Sequence, residues 1–218
     1  MHDSLRPAAL ALALALSTLA GCASGPPGRG IGGLFDGGGW VRGAESSHAA
    51  LRDGVALTWW SRGTGPARES VATLATPRGD VRPETAAELA EWCRPIDSAD
   101  AAFAHLELAS LLAVPGTGLP GLVLRADDAN GSGGNGVYGP RDAEAWQIPF
   151  ASDVRAAGGG WTLDAVALVP PWTHPSFRST SPWRVVLVRA AVYPDGSITA
   201  REQRTLTNGE DARRFARW

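Results

Sequence analysis

Three stretches of alternating apolar and polar residues in the last third of the chain limit its fold more than any other feature. They are Trp161–Val169 (WTLDAVALV), Trp183–Tyr193 (WRVVLVRAAVY) and Ser197–Leu206 (SITAREQRTL). A period of two, with Val, Leu, Ile and Thr at the repeating positions, predicts strands. Pro194-Asp195-Gly196 joins the last two in a tight turn, with Pro presetting φ and Gly free to take a positive φ. Gly54–Ser61 (GVALTWWS) and Glu69–Thr76 (ESVATLAT), separated by Gly-Thr-Gly-Pro, predict a second hairpin. Gly121–Asp127 (GLVLRAD) reads as a further strand. The expected fold is mainly β: one sandwich-like or strongly curved antiparallel sheet domain with one or two short helices, an α+β arrangement being the alternative.

Pro83–Cys93 (PETAAELAEWC) is the clearest helix. Pro83 suits a first turn, Glu84 faces the positive end of the dipole, and Arg94-Pro95 ends the run. Ala86, Leu89, Ala90 and Cys93 recur at helical spacing and predict its buried stripe. Cys93 there reads as a small buried hydrophobe. Ala102–Val114 (AFAHLELASLLAV) has helical composition, yet Leu106, Leu108, Leu112 and Val114 alternate with His105, Glu107, Ala109 and Ala113. The alternation is read as a strand. Asn208–Trp218 (NGEDARRFARW) predicts a short terminal helix capped by Asn208, with Phe215 and Trp218 on one face and Phe215 packed on the domain.

The other end of the chain is different in kind. Ala8–Leu19 is largely apolar, but Pro7–Ala20 as a helix reaches only about 20 Å, short of the roughly 30 Å of a bilayer core. An export signal fits better. It closes on Leu19-Ala20-Gly21-Cys22, which resembles the lipobox of bacterial lipoprotein precursors. The resemblance covers residues 1–22 alone. It implies that residues 1–21 are a signal peptide, that the Cys22 thiol receives a diacylglyceryl group, and that the new amine after Gly21 is acylated, commonly with palmitate. Two or more chains hold a protein stably where one does not. Ala23 stands where an Asp favours inner-membrane retention, so the resemblance implies an outer-membrane lipoprotein facing the periplasm. Residues 22–43 carry nine glycines and two adjacent prolines after the cysteine. Too little apolar surface is present to offset ordering, so they read as a tether ahead of one globular domain at 44–218.

Composition narrows the function classes. The 218 residues carry a net charge of −2 and no lysine, which does not match a nucleic-acid footprint. With Cys22 acylated, Cys93 is left without an intramolecular disulfide partner. No histidine stands at metal-ligand spacing from another His or Cys, and no Gly-x-Ser-x-Gly or His-Glu-x-x-His motif occurs. Ser46, Ser47 and His48 are neighbours in sequence, which does not make a catalytic dyad; they read as a helix cap or the end of the tether. Asp128, Asn130 and Ser132 match positions 1, 3 and 5 of an EF-hand loop, but Gly139 stands where the bidentate Glu belongs and a strand precedes the loop. A Gly/Asn-rich connection explains them, and no cofactor or metal is expected. The remaining candidate is Val169–Trp183 (VPPWTHPSFRSTSPW), stiffened by four prolines and holding Trp172, His174, Phe177 and Trp183. Aromatic residues on stiff loops recognise sugars or peptides at low entropic cost. The expected function is therefore binding or scaffolding in the envelope: membrane contact through the lipid, a protein or glycan partner, and no nucleic acid. An envelope hydrolase with catalytic groups scattered in sequence is the alternative.

Overall fold

The computed structural model describes residues 38–64, 69–126, 137–147, 154–157, 159–171, 173–174, 179–180 and 182–216. The protein is mainly β. The first sheet is four-stranded and antiparallel, in the order β1 (Val41–Ser46), β2 (Ala56–Arg62), β3 (Glu69–Thr76) and β4 (Gly79–Val81). The expected second hairpin is β2–β3, in register from Ala56↔Ala75 to Arg62↔Glu69. Strand β1 starts at Val41, so Val41–Gly43, assigned above to the tether, already belong to it, with Val41 opposite Ser61 and Arg42 opposite Trp60. Every residue of β1 is exposed, and its register slips between Arg42 and Glu45.

The larger sheet contains β5 (Leu122–Ala126), β6 (Val137–Tyr138), β7 (Val154–Ala157), β8 (Gly160–Val169), β11 (Arg184–Val192) and β12 (Ile198–Asn208). Its order is β12-β11-β8-β5-β6, with β7 also on β8, and only β5–β6 is parallel. One edge of β8 takes β11 along its length. The other is shared, β7 pairing with Gly160–Leu163 and β5 with Val166–Leu168. Between β8 and β11, β9 (Thr173–His174) and β10 (Ser179–Thr180) form a separate antiparallel pair, His174↔Ser179 and Thr173↔Thr180. Both short strands belong to the aromatic loop expected from the sequence.

Both faces of the larger sheet are covered. On β8, Leu163 and Ala165 join a cluster that also holds Leu57, Leu74, Leu106, Leu108 and Ala190. Val166 and Leu168 point the other way, into a cluster with Leu124, Tyr138, Trp146, Val185 and Phe215. Alternation along a strand separates the two sets. The second cluster is closed by α3 (Pro140–Ala145) and by α4 (Gly209–Arg213) with the single 3₁₀ turn Arg214–Ala216 that follows. Phe215 is completely buried, and Arg214 bonds Asp142 while lying 4.7 Å from the Phe215 ring centre. The terminal helix therefore docks on its own domain. Asn208 occupies the cap position, but its side chain makes no capping bond.

Two helices differ from the sequence reading. Helix α1 is Ala86–Ala90, shorter than Pro83–Cys93, because Thr85 caps it: its hydroxyl accepts from Glu88 N–H at 3.1 Å, and Glu88 accepts from Glu84 N–H at 2.8 Å. These two bonds fix the cap at Thr85 and the first helical residue at Ala86, three after Pro83. At the other end Arg52 N–H donates to Trp92 O and Arg94 N–H to Ala50 O, drawing the chain into a bridge between Leu51 and Cys93. Cys93 lies past the helix, half-buried, and burial pushes its thiol up to about 12.

The second difference is larger. Helix α2 runs Ala99–Leu111, where a strand was expected. Ser98 caps it, accepting from Ala101 N–H at 3.2 Å, and Asp100 favours its positive end. It ends with Val114 N–H on Ala109 O and Ala113 N–H on Ser110 O, a Schellman closure with Ala113 at φ 49° where glycine is usual. His105, Leu106, Glu107, Leu108, Ala109 and Ser110 are all buried. A helix covered on every side has no polar face, so its sequence shows no 3.6-residue stripe.

Candidate functional site

Helix α2 carries two titratable side chains, His105 and Glu107, into the interior, and their spacing sends them in different directions. Residues two apart on a helix do not share a face. Glu107 turns toward β5 and the segment after β1, while His105 turns toward the β11–β12 turn.

On the Glu107 side, Arg125 of β5 grips the carboxylate with both Nε and Nη2. His48 approaches with Nε2 at 3.2 Å from Oε2, a contact more electrostatic than well aligned. Its other nitrogen, Nδ1, accepts from Ala50 N–H at 3.2 Å, so the ring hydrogen sits on Nε2, facing the carboxylate. The His48 and Glu107 side chains are 7% and 10% exposed and that of Arg125 is 51%, so the arginine seals the group from the solvent side. Burial pushes the Glu107 carboxyl up, but the contacts from His48 and Arg125 outweigh this and hold it below its ordinary value. Ser110 ties the same helix to β5, its hydroxyl donating to Glu107 O at 2.7 Å and accepting from Val123 N–H at 3.0 Å. Both His48 nitrogens are thus directed at groups of the chain itself. The arrangement fastens the N-terminal segment to α2 and β5; it offers no unoccupied base to a substrate.

On the opposite side, His105 is completely buried, and its Nε2 lies 3.1 Å from Gly196 O. A carbonyl only accepts, so Nε2 carries the hydrogen and Nδ1 is a bare acceptor, with no hydrogen-bond partner. Burial lowers the affinity of this ring for a second proton, more than the carbonyl raises it. Gly196 is held for the purpose: its φ is +83°, its N–H donates to Tyr193 O at 2.9 Å, and a Cβ there would fall 2.3 Å from Ala90 Cβ. His105 also floors a cavity of about 270 Å³ between α2 and the segments Ala49–Ala50 and Arg94–Asp97. A second, more open depression of about 480 Å³ includes Arg42, Glu45 and Asp80, which already pair with one another.

Few of the sequence candidates enter either group. Leu19, Ala20, Gly21 and Cys22, the loop residues Asp128, Asn130 and Ser132, and Trp172 and Phe177 lie outside the described residues. His174 is placed by its backbone, in β9. Trp183 is half-buried against the cluster around Phe215, and its carbonyl accepts from Gly209 N–H at 2.8 Å. It closes the expected aromatic loop where β11 begins. Among the described residues no three His, Cys, Asp or Glu side chains gather as a metal site, and no helix is long and apolar enough to cross a membrane. Ser46 ends β1 and His48 follows it, so the cluster read as a helix cap or the end of the tether lies just after the first strand. Glu107 and Arg125 carried no sequence signal of their own; the helix start at Ser98 was the cue that places Glu107 inside. No family model, no curated protein and no solved structure matches this chain.

Proposed function

We propose that this chain is a lipid-anchored protein of the bacterial cell envelope whose β-rich domain binds or scaffolds a partner. The observation that carries the reading is Leu19-Ala20-Gly21-Cys22, an apolar leader ending in a thiol flanked by small residues, followed by a glycine-rich stretch before the first strand at Val41. A thiol is the nucleophile that forms a thioether, and small neighbours leave the backbone open to a processing protease. The acyl chains hold the protein at the membrane, on the periplasmic face of the outer membrane given Ala23. The glycine-rich stretch lets the domain reach about 25 Å from its anchor. The proposed partner is an envelope protein or glycan, met by the loop whose sequence includes Trp172, His174, Phe177 and Trp183. A binding role is favoured because the buried histidine–carboxylate pair is spent on holding the fold.

The test is metabolic labelling of producing cells with an alkyne-bearing palmitate. Label is expected on the wild-type chain in the membrane fraction and absent from Cys22→Ala, which stays uncleaved or turns up in the soluble fraction. An unmodified Cys22 in the mature wild-type chain, seen by mass spectrometry of the N-terminal peptide, refutes the anchor.

A further inference from the structure

We infer that the open end of the larger sheet's second face is a binding site for a phosphomonoester, held by Arg201 and Arg204 beside Arg189. The inference adds a surface to the binding role proposed above, and it stands whether or not the chain is anchored at Cys22. The first support is register. Val166, Leu168 and Val185 on this face lie under α3 and α4, but that cover stops short of Arg189, which is exposed. Arg189 stands opposite Asp164 on one side and Arg201 on the other, and Arg204 stands opposite Leu187, the next position on the same face. The slip at Gln203 lets Arg201 and Arg204 share that face. Side chains directly opposite have Cβ atoms about 5 Å apart, and the next position on a face lies about 7 Å along the strand. One small group can therefore meet all three guanidiniums.

The second support is the balance of charge. Arg189 donates Nε and Nη2 to Asp164, at 2.7 and 2.8 Å. Arg204 donates Nη2 to the Trp146 carbonyl at 2.7 Å, which fixes the guanidinium without neutralising it. Arg201 is exposed, and among the described residues its side chain bonds nothing; Gln203 reaches only its carbonyl. Glu202 turns to the other face, where it pairs with Arg184. Three arginines thus share one carboxylate, and like charges set directly opposite destabilise a sheet. An anion seated among them offsets that repulsion. A carboxylate ligand cancels only one of the two charges left over. A phosphomonoester carries nearly two at neutral pH, on three oxygens that guanidinium forks match. The third support is the surround. Thr162, Ala191 and Thr199 on the same face are small, so the guanidiniums stand uncovered and no large apolar side chain beside them enters a bilayer. The phosphate is therefore one carried on a water-soluble body.

The experiment uses the full-length chain in non-ionic detergent at about pH 8, where the second phosphate proton is lost, with ¹⁵N in the arginine side chains. Titration with methyl phosphate is expected to shift the Nε resonances of Arg201 and Arg204 saturably. Dimethyl phosphate, a diester with one charge fewer, is expected to bind at least about tenfold more weakly. Arg201→Gln should weaken methyl phosphate by a similar factor and leave the melting temperature of the free protein unchanged or higher, because it removes the cross-strand repulsion. Arg78→Gln, an exposed arginine in the β3–β4 turn of the first sheet, should leave the affinity unchanged. No saturation by about 10 mM, equal affinity for the two esters, or equal losses in the two variants each overturns the proposal. So does a fall in the melting temperature of free Arg201→Gln. Phosphatidic acid added to the micelles should not displace methyl phosphate; displacement would make a lipid headgroup the ligand and overturn the proposal as well.

Discussion

Replacing Glu107 by Gln removes a charge and almost no volume, which isolates what the carboxylate contributes. At neutral pH the carboxylate accepts two bonds from Arg125 and faces the Nε2–H of His48. A hydrogen bond to a charged group contributes about 1.5–3 kcal/mol, against about 1 kcal/mol for a neutral one. Arg125 is half exposed and can rehydrate, so its two bonds count for less than buried ones. His48 and Glu107 are both shielded, and the amide NH₂ of Gln would turn a donor toward at least one donor. The expected loss is about 2 kcal/mol at pH 7, or roughly 4–8 °C in melting temperature for a domain of this size. The pH dependence sharpens the test. Glu107 is held below its ordinary value in the folded state, so its contribution is complete above the unfolded value, about 4.5, and is lost as pH falls through the folded value. Urea denaturation of both proteins at pH 7 and pH 3 should therefore show a gap that narrows in acid. A gap below about 0.5 kcal/mol at pH 7, or one unchanged at pH 3, would show that the three side chains do not form a working ion pair.

Other perturbations follow from single positions. Ala113→Gly relieves a non-glycine residue at φ 49° on an exposed helix end and should raise stability by about 0.5–1 kcal/mol in thermal or urea melts; no gain would mean that Ala113 is unstrained there. Gly196→Ala meets both a positive φ and a Cβ 2.3 Å from Ala90, so it should cost at least about 2 kcal/mol and displace the His105 Nε2–H resonance. In a Cys22→Ala background, Cys93, with its thiol pushed up to about 12, should react with iodoacetamide at pH 8 at least about 100-fold more slowly folded than in urea; equal rates would place it in an open, ordinary environment.

The strands were legible where one face met the core and the other did not. β11 and β12 alternate over most of their length, and the Pro194-Asp195-Gly196 turn announces itself through residue types that few other turns require. Even β8, buried on both faces at Ala165–Leu168, kept enough flanking polar residues to be recognised. Helix α2 was hidden for the opposite reason. Its polar residues are inside, so periodicity carried the wrong message, and only the Ser98 cap and the Ala/Leu/Glu content argued for a helix. The site was out of reach by a different route. His48, Glu107 and Arg125 come from a loop, a helix and a strand far apart in sequence, and nothing local marks them as partners. His105 looked like a polar residue on a strand face until the helix turned it onto Gly196. The start of β1 was hidden as well, because Val41-Arg42-Gly43 looks like loop until β2 is beside it.

Strand β1 forms one edge of the first sheet and β12 one edge of the larger sheet, and each leaves backbone donors and acceptors open to an extended segment, apart from Ala200, whose N–H donates to Thr117 O at 2.8 Å. Each is spoiled as a template. β1 slips register between Arg42 and Glu45, and β12 opposes β11 with slips at Val185/Val186 and Leu187/Val188. Charges sit along both: Arg42 and Glu45 on the first, Arg201, Glu202 and Arg204 on the second. A new strand laid against such an edge would have to match a kinked ladder and strip water from ions, both of which cost free energy. Both devices work against edge-on polymerisation, in which a second copy would add its own strand to an open ladder.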